Sequence, residues 1–134
     1  MTALRVLVVD DCRDGADTCA TLLRLWGHDA RVAYDGPAAV RAAELFRPDA
    51  FLLDVALPGI DGCGLARQFR READFRDALL IAVSGYADPA HRKLGDEAGF
   101  DHYLIKPVEP TVLQQLLECF AAGDHPRAGP RSRT

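Results

Sequence analysis

Five polar side chains stand where apolar runs stop. Asp10 and Asp11 follow the run Val6–Val9, Asp54 follows Ala50–Leu53, Ser84 follows Ala78–Val83, and Lys106 follows Leu104 and Ile105. Neighbouring carboxylates repel one another, and a chain ordinarily avoids placing them at the end of a buried strand. A divalent cation removes that cost. Three carboxylates make a hard oxygen site that suits Mg²⁺, which accepts a few carboxylates and keeps several waters. One of them is then free to act as a nucleophile toward phosphorus, as in aspartyl-phosphate chemistry. Incoming phosphoryl oxygens need positive charge and a donor, which Lys106 and the Ser84 hydroxyl can supply beside the metal. Taken singly, each residue has an ordinary explanation. An Asp pair can cap the next helix, Asp54 can be a turn residue, Ser84 can cap a helix, and Lys-Pro is a common dipeptide. The set acquires chemical meaning only if the fold brings all five together.

The elements that must do this alternate along the chain. Residues 4–9 read as a strand, and residues 14–27 as a helix with Asp14 as cap, Ala16, Cys19, Ala20, Leu23 and Trp26 on one face, and Gly27 as stop. Residues 29–34 alternate like a half-exposed strand. Pro37 opens a second helix at its first position, with Ala39, Val40, Ala43 and Phe46 on one face, ending before Pro48. A short strand ends on Asp54, the loop Pro58–Gly62 follows, and Leu65, Ala66 and Phe69 mark a third helix. The longest apolar run ends on Ser84. Asp88 and Pro89 open a fourth helix that closes at Gly99; its stripe is little more than Ala90, Leu94 and Ala98, with Gly95 inside it. Residues 102–105 form a last strand, and a helix from Pro110 carries Val112, Leu113, Leu116, Leu117 and Phe120 on its apolar face.

Five βα units predict an α/β, doubly wound (βα)5 sandwich, flavodoxin-like, with a parallel sheet between two helix layers. The strands at 4–9, 50–53 and 78–83 read as buried on both faces, and those at 29–34 and 102–105 as edges. Right-handed crossovers then give the order 2-1-3-4-5. Ligands bind such sheets beyond the carboxyl ends of the strands, where the winding reverses between strands 1 and 3. All five polar residues fall along that edge.

Composition narrows the classes. The chain has 134 residues, 49% hydrophobic and 27% charged, which suits one domain with one core. No apolar run approaches the roughly 20 residues that span a bilayer, and no signal-peptide layout opens the chain. The four cysteines lack CxxC spacing and read as reduced thiols of a cytoplasmic protein. Net charge is −4; residues 123–134 contribute +2, leaving −6 for residues 1–122. An acidic body argues against direct nucleic-acid binding. The Gly-, Pro- and Arg-rich tail, 123–134, is expected to be disordered.

The segments "VLVVDD", "RPDAFLLDVALPGIDG", "LLIAVSGYAD" and "EAGFDHYLIKPV", with the amphipathic last helix, resemble the receiver domains of bacterial two-component response regulators, over about residues 4–121. The resemblance implies a phosphorelay role. Asp54 takes a phosphoryl group from a phosphohistidine on a histidine kinase or histidine phosphotransfer protein. Asp11, Asp54 and the backbone carbonyl of Ala56 ligate Mg²⁺ (or Mn²⁺ in its place), and Asp10 holds a metal-bound water. Lys106 bonds the phosphoryl group and its peptide bond to Pro107 is cis. Ser84 and Tyr103 form the switch pair behind a helix 4–strand 5–helix 5 output surface, and helix 1 docks the kinase. The protein is then a signalling phosphoacceptor that catalyses only its own phosphorylation and dephosphorylation, with oligomeric state open between monomer and phosphorylation-dependent dimer. Cys12, Gly85, Ala56 and Tyr86 depart from the commoner residues at their positions; Gly85 is expected to loosen the switch loop, and Ala56 and Tyr86, two residues after Asp54 and Ser84, bear on phosphoaspartate lifetime.

Rival readings fit less well. A flavin carrier needs a phosphate-cradling loop after the first strand, where this chain places carboxylates. A haloacid-dehalogenase-type phosphatase resembles DxDxT there, against "DDCRD". No P-loop motif occurs. A receiver-like interaction module that works without phosphorylation ordinarily lacks site residues, and none is missing. No output-domain pattern follows residue 122, which leaves a single-domain regulator or a receiver belonging to a larger chain.

Overall fold

A computed structural model describes residues 3–57, 62–85 and 89–123, with residues 89–92 described by backbone alone. Five strands, β1 (Arg5–Val9), β2 (Asp29–Ala33), β3 (Ala50–Asp54), β4 (Leu79–Ser84) and β5 (His102–Ile105), form one parallel sheet of order β2-β1-β3-β4-β5. Five helices connect and follow them: α1 (Arg13–Leu25), α2 (Gly36–Phe46), α3 (Gly62–Arg71), α4 (Pro89–Ala98) and α5 (Pro110–Ala121). The architecture and strand order are those expected from the alternation of apolar runs and helical periods.

Strand periodicity divides the core into two layers. Leu7, Val9, Phe51, Leu53, Leu80 and Ala82 face one side, where Ala39, Leu65 and Phe69 cover them. Val6, Val8, Leu52 and Ile81 face the other, beneath Ala20, Leu23, Leu113 and Leu117. The register levels the carboxyl ends: Val9 pairs with Leu53, Asp54 with Val83, and Ser84 with Ile105. This alignment sets the sequence-distant polar residues side by side.

Several local expectations are corrected. The first strand starts at Arg5, which is exposed, and the cap of α1 is Cys12, without a side-chain capping bond; Asp14 falls in the first turn. The reason lies in the preceding turn. The Cys12 amide donates to Asp10 Oδ1 at 3.0 Å, and the Cys12 carbonyl already accepts from Ala16, so the helix begins at once. An acid in the first turn still favours the helix N-terminus. In α2, Asp35 caps by accepting from the Ala38 amide, with Pro37 just inside. Val112 and Leu94, both placed on apolar faces, are 41% and 50% exposed. A 3₁₀ turn at Ala73–Phe75 was not anticipated; it buries Phe75, whose ring meets Phe51 and Phe69 at centroid distances of 5.4 and 5.6 Å. The loop at 58–61, the helix opening at Asp88, Tyr86 and the tail beyond Gly123 lie outside the described residues.

The far end of the sheet is tied by Arg70. Its guanidinium pairs with Asp101 at 2.7 Å and donates to the carbonyls of Gly99 and Ala78 at 2.9 and 2.7 Å. Asp101 also accepts from the Leu80 amide at 2.9 Å. One side chain thus joins α3, β4 and the α4–β5 turn.

Candidate functional site

β1 and β3 end in the same way. Asp10 Oδ1 accepts from the amide two residues on, Cys12, and Asp54 Oδ1 accepts from the amide two residues on, Ala56, at 2.9 Å. Both are Asx turns, which let the chain leave the strand without an unpaired amide. The turns also fix the carboxylates. The second oxygen of each is left pointing at one cation: Lys106 Nζ lies 3.0 Å from Asp54 Oδ2 and 3.3 Å from Asp10 Oδ2. Lys106 is placed by β5, and its amide donates to the Ser84 carbonyl at 2.8 Å. The Lys106–Pro107 peptide is cis.

Asp11 completes the cluster. Ligand-capable oxygens of Asp10, Asp11 and Asp54 lie within 4.8 Å of one another, with Asp54 buried, Asp10 intermediate and Asp11 exposed. Burial, followed by the hydrogen bond and charge of Asp54, holds the Asp10 carboxyl above its ordinary value, although the Cys12 amide and Lys106 pull it down. Burial would lower the Lys106 ammonium, but the carboxylates of Asp54 and Asp10 outweigh it and raise the group. Crowded, partly desolvated carboxylates with an all-oxygen donor set fit a small hard cation. The exposed Asp11 gives such an ion a path from solvent.

Ser84 ends β4 and is buried; Tyr103, on β5, is 8% exposed with its ring in the core layer under α4. The structure therefore brings Asp10, Asp11, Asp54, Lys106 and Ser84 to one edge and sets Tyr103 inward of it. A cleft of about 720 Å³ leads from this edge between α1 and the start of α5, past Thr18, Leu22, Val108, Pro110 and Leu113.

One positional requirement escaped the sequence. Gly62, the first residue of α3, donates its amide to the Val55 carbonyl at 3.1 Å, and Val55 donates to Val83. A Cβ at Gly62 would collide with the Asp54 carbonyl and come 2.6 Å from Val55 Cα. Glycine lets α3 press directly on the backbone that carries Asp54. The Asp61–Gly62 pair after a strand carried a turn signal, but nothing local reveals what the turn touches.

A family model for the response regulator receiver domain matches residues 6–118. Among curated proteins, the DNA-binding response regulator MtrA of Mycobacterium tuberculosis is 38% identical over 109 residues, 81% of this chain and 46% of that protein. The transcriptional regulatory protein PrrA of the same organism is 39% identical over 117 residues, 87% of this chain and 48% of its own. The chain thus spans about half the length of the curated relatives it matches. Among solved structures, a putative response regulator from Chloroflexus aurantiacus superposes with a TM-score of 0.83 at 31% identity, covering 90% of this chain and 99% of that one. The receiver domain of a sensor histidine kinase from Pseudomonas aeruginosa, described with a magnesium ion in its active site cleft, gives a TM-score of 0.81 at 31% identity and the same coverage.

Proposed function

The chain belongs to the response regulator receiver domain family, and from that premise we propose that residues 1–122 form a receiver unit whose Asp54 accepts a phosphoryl group from a phosphohistidine. The donor is a histidine kinase or a histidine phosphotransfer protein. The observation that carries the reading is the setting of Asp54: it is the most buried of three clustered acids, and its two oxygens are fixed by the Ala56 amide and by Lys106.

Asp10, Asp11 and Asp54, with the Ala56 carbonyl, would hold one Mg²⁺ or Mn²⁺. Bound there, the ion neutralises the crowded carboxylates and draws charge from the transferring group. The chain's own residues do the rest. An Asp54 oxygen attacks phosphorus as the P–N bond to the donor imidazole breaks, and the imidazole takes up a proton as it leaves. The Ala56 amide and Lys106 hold the carboxylate in one rotamer, so that no reorganisation is needed at the moment of attack. Lys106, already bonded to Asp54 Oδ2, is within reach of a phosphoryl oxygen once the acyl phosphate forms. The Ser84 hydroxyl approaches the same group, and Tyr103 follows behind it as the switch aromatic. Beyond its own phosphorylation and dephosphorylation the protein catalyses nothing.

The cleft beside α1 supports docking of the phosphodonor there, since it opens onto Asp54. The α4–β5–α5 face is the output surface. The unit acts in the cytoplasm and does not itself contact nucleic acid; among the described residues, no helix is long and apolar enough to cross a membrane. Phosphotransfer from the host's autophosphorylated histidine kinases, run with Mg²⁺ and with EDTA, tests the reading. Transfer from one kinase in Mg²⁺ alone supports it; transfer from none, with the kinases shown to be loaded, counts against it.

A further inference from the structure

We propose that Gly95 is the positioning residue for Tyr103: the absence of a side chain at 95 is what allows the ring to lie buried beneath α4. The inference rests on the reading of Tyr103 as the switch aromatic and extends it to the helix above. A Cβ at Gly95 would stand 2.9 Å from Tyr103 Cδ2 and 3.2 Å from Cε2, with Phe100 Cδ2 at 3.7 Å. Carbon atoms do not pack stably at 2.9 Å, so either the ring or the helix would have to move. On its inner side the ring belongs to the core layer that includes Ala82, Ala98 and Phe100.

A glycine inside a helix is unfavourable relative to alanine, and one that persists there calls for a packing reason. The Tyr103 ring supplies it. Among the α4 residues with described side chains, Leu94 is half exposed, Ala98 buries a single methyl, and the Cys63 thiol meets the Leu94 carbonyl at a long 3.9 Å. The ring under Gly95 is therefore one seat of the helix, and the positions of ring and helix are mutually dependent. A side chain at 95 would expel the ring toward the edge of the sheet or lift α4 from it. In both cases the ring and the output face lose their common reference.

A double-substitution cycle tests this without any phosphorylation. Urea unfolding is measured for the parent, Gly95→Ala, Tyr103→Ala and the pair. In the Tyr103→Ala background the alanine should stabilise α4, making unfolding about fivefold less favourable, as helix propensity dictates. In the parent background it should do the reverse. Failure of Gly95→Ala to fold alone, with folding restored by Tyr103→Ala, supports the proposal equally; stabilisation in both backgrounds, or failure in both, overturns it. Fluorine NMR of fluorotyrosine at 103, in a Tyr34→Phe, Tyr86→Phe background, gives a second readout. Gly95→Ala should move the signal toward solvent-exposed values, and an unmoved signal in a folded variant overturns the proposal. Binding of fluoroberyllate in Mg²⁺ separates the two readings. If the parent binds it, Gly95→Ala should weaken binding by a factor within the roughly 5–150-fold range of site coupling, and unchanged binding overturns the link. If the parent does not bind it, the phosphoacceptor reading fails while the unfolding cycle still decides the role of Gly95.

Discussion

Replacing Arg70 by alanine should cost about 3–5 kcal/mol of folding stability, the scale for removing one partner of a buried ion pair. The Asp101 side chain is 0% exposed and that of Arg70 11%. Without the guanidinium, Asp101 keeps the Leu80 amide as a donor but loses its 2.7 Å ion pair in a buried setting, and the Gly99 and Ala78 carbonyls lose the bonds that Arg70 donates. Against a total of roughly 5–15 kcal/mol for a domain of this kind, the loss is large. With a urea slope of about 2 kcal/mol per molar, the midpoint should fall by about 2 M. Arg70→Ala combined with Asp101→Asn should recover part of the loss, because the buried charge disappears. The folded fraction of either variant should bind Mg²⁺ like the parent, since the network lies at the opposite end of the sheet from Asp54. A loss below about 1 kcal/mol, the scale of an exposed pair, would refute the assignment of Arg70 as the tie between α3, β4 and the α4–β5 turn.

Gly62→Ala should destabilise more than a helix alanine ever gains, by about 2 kcal/mol or more, because the new methyl meets backbone that cannot swing aside; an unchanged melting temperature would contradict the close approach. His28 and His102 both sit below the ordinary histidine value because burial disfavours the imidazolium, and Nδ1 of His28 accepts the Leu4 amide, which only the neutral ring can do. The unfolded chain therefore binds protons near pH 6.5 that the folded chain refuses. Stability should be full above about pH 7, fall as pH drops through the unfolded value, and level off below the folded ones; denaturant midpoints at a series of pH values measure this, and His28→Asn should flatten the slope. Lys106→Arg should slow phosphorylation by about tenfold, since a planar fork cannot reproduce a point charge shared between two carboxylate oxygens at 3.0 and 3.3 Å; an unaltered rate in a phosphodonor time course would remove the need for an ammonium.

The strands that carry the site were legible because they are short apolar runs, and a parallel βα chain has few ways to order them. That ordering, more than any single motif, places Asp10, Asp54, Ser84 and Lys106 at one edge. What local pattern could not reveal depends on contacts between distant residues. Arg70 and Asp101 are 31 positions apart, and neither stands out in its own helix or turn. Val112 and Leu94 follow helical periodicity, yet periodicity alone does not say how much of each side chain the fold covers. Cys12 capped α1 in place of Asp14 because the preceding Asx turn at Asp10 decided where the helix starts. Gly95 was visible as a weak point in α4; only the Tyr103 ring gives it a purpose.

Everything proposed for this site turns on Asp54 as the phosphoacceptor. Intact-mass measurement after incubation with a small phosphodonor in Mg²⁺, on the parent and on Asp54→Ala, tests it most directly. One phosphoryl adduct is expected on the parent, lost in EDTA and absent from Asp54→Ala. An adduct of equal yield on Asp54→Ala would contradict it.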